Sequence, residues 1–183
     1  MKLFETAPPL EISEWINTPD LLSLSELRGR VVMLHAFQML CPGCVSHGLP
    51  QASQVREMFA EDDVAVIGLH TVFEHHDVMG ANALKAFIHE YRLRFPVGID
   101  KPGSGHIPLT MQAYALQGTP SLVLIDRQGR VRLNHFGRID DMALGALIGQ
   151  LSAEPSVGEV ATQVVSATSL PVVGCNDEAC VVR

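Results

Sequence analysis

From Val31–Phe37 the chain runs apolar with scarcely a break, the pattern of a strand buried on both faces of a sheet. Residues 64–69 and 121–125 repeat it, and 95–99 is a shorter version. Between these runs the periodicity turns helical. Residues 42–59 start with Pro42 in the first turn, where its missing amide costs nothing, and Pro50 is expected to kink that helix. Residues 82–91 set Ala83, Ala86, Phe87 and Tyr91 on one side; 109–116 and 139–151 read as two further helices. Asp126-Arg127-Gln128-Gly129 is a hairpin signal between 121–125 and 131–136. The order β, α, β, α, β, α, β, β, α predicts an α/β fold, a central mixed sheet with helices on both faces.

At 183 residues and 47% apolar content the chain can bury one core and is short for two. The expected organisation is an N-terminal extension at 1–30 packed on the domain, the domain proper at 31–151, and a tail at 152–183. The tail shifts to Ala, Ser, Val, Pro and Gly, as a strap or a loose end. A net charge of -7 with no basic run argues against a nucleic-acid partner. No window approaches the roughly 18 to 20 apolar residues that span a bilayer, and the first residues lack a signal peptide's apolar core. The expectation is a cytoplasmic protein, although a chain trimmed of an export signal would read the same.

Chemistry enters with the cysteines, four in all and grouped as two close pairs. Cys41 follows a buried strand and opens a helix, where free backbone N–H groups and the positive end of the helix dipole favour a thiolate. Cys44 lies one turn deeper on the same face, close enough for a disulfide. Cys41 is thus the expected nucleophile and Cys44 the resolving thiol; buried core cysteines or half of a zinc site are the competing readings. Cys175 and Cys180 are a possible second redox pair, since Gly174 and Asn176-Asp177 could turn the chain between them. Otherwise they are idle thiols of the tail.

The segment 23–32, the run Cys41-Pro42-Gly43-Cys44, Leu49-Pro50, the segment 95–100, Gly118-Thr119-Pro120 and the segment 124–130 stand in the order shown by the TlpA/ResA-like branch of the thioredoxin superfamily. The chain resembles that branch over roughly residues 8–151. The resemblance implies a thioredoxin fold in which Pro120 is a cis-proline facing the cysteine pair and Thr119 offers its backbone to a substrate segment. Leu40 and Pro42, on either side of Cys41, would complete the substrate contact. Leu40 replaces the aromatic residue usual there, and Phe37-Gln38-Met39 replaces a Trp-Ala-Thr-like stretch. His35 stands six residues before Cys41, where thioredoxins carry a buried acid. It could shuttle the proton of Cys44, or be a half-buried residue bonded to backbone. His70, His75 and His76 fit no compact metal site and read as solvated loop residues, with His47 at the surface.

The leading functional expectation is a thiol–disulfide oxidoreductase acting on protein or small-molecule thiols and disulfides, reset by an unidentified electron donor, with no cofactor and no metal. A peroxiredoxin-like peroxidase is the enzymatic alternative, though Leu34 and Gln38 stand where its proline and hydroxyl should be. A metal-binding module using both cysteine pairs is the non-enzymatic one.

Overall fold

The computed structural model describes residues 6–155, together with the backbone of 173–175 and 180–182. Six strands form one mixed sheet in the order β1-β4-β3-β2-β5-β6. β2 (Val31–Phe37), β3 (Val64–His70) and β4 (Val97–Asp100) run parallel, while β5 (Ser121–Ile125) and β6 (Val131–Phe136) extend the sheet antiparallel beyond β2. The other edge is β1 (Ile12–Ile16), antiparallel to β4, so the N-terminal extension supplies a strand of the sheet that the apolar pattern did not reveal.

Alternation along β2 divides the core. Val31, Met33 and Phe37 face one layer with Cys44 and Leu49, under α1 (Leu49–Met58), α2 (Ala81–Glu90) and α4 (Asp141–Ala153). Val32, Leu34 and Ala36 face the other, against Leu27, Met111 and Tyr114 at α3 (Leu109–Ala113). The central strand thus reads as a continuous apolar run because both its faces are covered.

Two expectations need correction. The long helix over 42–59 is not one kinked α-helix: it opens at Pro42, widens into a π-helical turn at Cys44–Gly48, and becomes α-helical from Leu49. The wider turn lies where Pro50 would deprive the carbonyl four residues back of its donor. In α2 the buried face is Leu84 and Ile88, with Phe87 half-buried; Ala83, Ala86 and Tyr91 are exposed. Two aliphatic side chains at i and i+4 hide more apolar area than the alanines, and the helix turns accordingly.

Val173–Cys175 and Cys180–Val182 pair as a short antiparallel hairpin in which Cys175 is the register partner of Cys180. The side chains of that pair, and the rest of the tail, lie outside the described residues.

Candidate active site

β2 delivers the chain at the carboxyl edge of the sheet, and residues 38–40 carry it into the helix. Cys41 is the residue before the first helical turn. Its sulfur accepts the N–H of Cys44 at 3.3 Å, as the oxygen of a capping side chain would. The same thiol donates to the carbonyl of Thr119 at 3.4 Å. Cys41 is half-buried whereas Cys44 is fully buried, and both are free thiols. Burial, reinforced by the hydrogen bond with Cys41, pushes the Cys44 thiol up to about 12. One cysteine can therefore be reached from outside and the other is held protonated beneath it.

The Thr119–Pro120 bond is cis. Pro120 lies against the helix start: a Cβ on Gly43 would sit 3.3 Å from its Cδ, and one on Gly48 3.3 Å from its Cβ. The structure therefore brings Cys41, Cys44, Thr119 and Pro120 into one cluster. Leu40 and Pro42 are exposed at its rim.

His35 lies on the cysteine side of β2 and is 2% exposed, so it is not the half-buried residue bonded to backbone that one reading expected. Among the described residues neither ring nitrogen has a hydrogen-bond partner. Burial lowers its pKa from 6.5 to about 4, leaving it neutral near pH 7. Gly48 is what makes room for it, since a Cβ there would stand 2.6 Å from Nε2. No hydrogen bond joins His35 to Cys44 directly. A cavity of about 130 Å³ adjoins the imidazole, lined also by Ser46, His47, Pro120, Arg138 and Asp141.

Gln38 is a site residue that sequence reasoning noticed only as a departure. It is 1% exposed. Its carbonyl accepts the N–H of Cys41 at 3.2 Å, its Oε1 accepts the N–H of Phe73 at 3.3 Å, and its Nε2 donates to Glu74 at 3.3 Å. The loop after β3 is thereby tied to the segment that positions the nucleophile. A polar side chain straight after a seven-residue apolar strand was the available signal. His70 also departs from expectation: it ends β3 and is buried, with burial lowering it to about 4, whereas His75 and His76 are exposed. Among the described residues no three His, Cys, Asp or Glu side chains come together as a metal site, and no helix is long and apolar enough to cross a membrane.

The model of the AhpC/TSA family matches residues 5–134. A thiol-disulfide oxidoreductase ResA of Bacillus thuringiensis subsp. konkukian (strain 97-27) is 28% identical over 110 residues, which is 60% of this chain and 57% of that protein. The match therefore spans little more than half the length of that relative. Among solved structures, a thioredoxin-like superfamily protein superposes with a TM-score of 0.82 at 55% identity, over 83% of this chain and 99% of that one. A thiol-disulfide isomerase from Corynebacterium glutamicum gives 0.78 at 53% identity, over 81% and 98%.

Proposed function

The chain belongs to the AhpC/TSA family, as a TlpA/ResA-like redoxin of thioredoxin fold, and from that premise we propose that it is a thiol–disulfide oxidoreductase working through the Cys41/Cys44 couple. The observation that carries the reading is the division of labour within the pair: Cys41 half-buried and capping its own helix, Cys44 buried one turn below with its sulfur held as a thiol.

In the reducing direction the Cys41 thiolate attacks one sulfur of a substrate disulfide. A bond forms between Cys41 and that sulfur, the substrate S–S bond breaks, and the other substrate sulfur leaves as a thiolate that takes up a proton. Cys44 then gives up its proton and attacks the Cys41 sulfur, releasing the second substrate thiol and closing the Cys41–Cys44 disulfide. A dithiol donor returns the pair to the reduced state. Thr119 and Pro120 form the wall along which a substrate segment would lie, between the exposed Leu40 and Pro42.

His35 is assigned the proton of Cys44. It is neutral, it has an unpartnered lone pair, and it lies behind the helix that carries the thiol. A base held near 4 cannot strip a thiol held near 12 in a separate step, so the proton moves as Cys44 attacks, when the sulfur's charge is passing into the new S–S bond. The adjoining cavity, which reaches the imidazole but neither cysteine, has room for a water through which the proton can leave His35.

The test is kinetic. Cys41→Ser is expected to abolish reduction of insulin or a small disulfide, and Cys44→Ser to accumulate mixed disulfides. In His35→Ala, resolution of the mixed disulfide should slow about tenfold, at the low end of general-base effects, with initial attack nearly unchanged. Alkylation of Cys44 before Cys41 at neutral pH would reverse the assignment of the two thiols. Rapid consumption of hydrogen peroxide in place of disulfide reduction would favour a peroxidase.

A further inference from the structure

Sharing the loop that Gln38 holds, a cavity of about 260 Å³ lies between the end of β3, the start of α2 and residues 101–108. It is several times the roughly 30 Å³ that one water occupies in the liquid. Val72, Met79, Ile99 and Pro108 give it apolar walls, and the imidazoles of His70, His76 and His106 line it as well. We propose that this cavity is a second binding site, for a small organic carboxylate with a short apolar body.

Two independent features point to an anionic group. The first is the N-terminus of α2, which enters the cavity at Gly80 and Ala81. Gly80 has no capping side chain, and the first intrahelical bond runs from the Leu84 N–H to the Gly80 carbonyl at 3.0 Å, so the amides of residues 81–83 precede the helical ladder. Such amides, with the helix dipole behind them, bind carboxylates and other anions. α4 differs, because its cap Asp140 accepts the N–H groups of Met142 and Ala143. The second feature is His70, which lines the same cavity at 1% exposure while its Nε2 has no partner among the described residues. A neutral imidazole can donate one N–H to a carboxylate without being charged.

The carboxylates already facing the cavity limit what it can hold. Glu14 is paired with Lys85 Nζ at 2.7 Å. Asp100 accepts from the Thr71 hydroxyl at 2.9 Å and from the amides of Thr110 at 2.8 Å and Met111 at 3.0 Å. Both are occupied, so neither competes for the α2 amides, yet their charge disfavours a dianion. A monoanion with a few carbons suits the walls and the donors together. The site goes beyond the exchange reaction and does not depend on it.

The experiment titrates the full reduced chain with sodium butanoate, and in parallel with butylammonium, following backbone amide and imidazole resonances by NMR. Butanoate should shift the amides of residues 81–83 and the His70 ring saturably, with a dissociation constant on the order of 1 mM; butylammonium should leave them in place. Gly80→Asp is the decisive variant. A Cβ at position 80 meets open space, and the φ of -75° and ψ of 173° there suit a capping residue. Its carboxylate should cap α2 from within and take the ligand's place, so butanoate binding weakens at least tenfold while the melting temperature holds or rises. Parent-like affinity in Gly80→Asp, or equal shifts with butylammonium, would overturn the proposal.

Discussion

Two buried histidines lie on neighbouring strands of the same sheet in different surroundings. His35 on β2 and His70 on β3 are separated by Phe37, whose ring lies 6.3 Å from one imidazole and 5.3 Å from the other. Burial lowers both from 6.5 to about 4. What differs is what each ring faces. His35 is closed in by Gly48 behind the cysteine pair, while His70 looks into a cavity whose far wall is a helix N-terminus. Desolvation makes a neutral imidazole in either place; the packing around it decides what that imidazole can reach.

The largest expected effect tests what the two share. A histidine whose folded pKa lies below its unfolded value binds fewer protons in the folded state, so its contribution is present above pH 6.5 and is lost as pH falls toward 4. Between pH 7 and pH 4.5 each imidazole should cost about 2 kcal/mol of stability. His35→Leu and His70→Leu should each remove one share of that loss relative to the parent, as measured by denaturant unfolding at the two pH values. If either variant keeps the full parental loss, that imidazole is not the buried neutral group described here.

A second effect, about the size of one imidazole's share, separates the two regions. Gly48→Ala would place a methyl group against the His35 ring, where a Cβ stands 2.6 Å from Nε2 and 3.3 Å from Pro120, and overpacking of this kind costs about 2 kcal/mol. Gly80→Asp, beside the other histidine, meets no atom within 4 Å and gains a cap, so it should add a few tenths of a kcal/mol. Thermal unfolding of the two variants should therefore move in opposite directions, which would fail if the two glycines were alike in their surroundings.

The contrast between the regions follows what was legible in the chain. The central strands and Cys41-Pro42-Gly43-Cys44 were readable because periodicity and short motifs are local, and Pro120 became readable through a resemblance spanning the domain. β1 was missed because Ile-Ser-Glu-Trp-Ile does not alternate cleanly and its partner strand ends at Asp100, far along the chain. His70 was read as a loop residue because the apolar run stops at Leu69, although the strand continues one position further with its ring turned inward. The role of Gly48 could not be read at all, and Gln38 showed only as a polar side chain straight after an apolar strand. Each depends on a side chain or loop contributed by another segment, and no local pattern reports such a contact.

Gln38 joins the two regions. Its amide accepts from Phe73 and donates to Glu74, while its backbone carbonyl receives the N–H of Cys41. Both side-chain bonds are 3.3 Å long and Glu74 is exposed, so the link is worth little on its own, and Gln38→Leu should cost about 1 kcal/mol. Its signature is where the change is felt: amide exchange at Phe73 should speed up, and resonances should move both at Cys41 and at the start of α2. Gln38→Glu sharpens the test. It keeps an acceptor for the Phe73 amide but sets a carboxylate opposite Glu74, so its loss of stability, measured relative to Gln38→Leu, should be greatest near neutral pH and shrink once the carboxylates are protonated. Spectral changes confined to the cysteine side in both variants would mean that the two histidine regions are neighbours without being coupled.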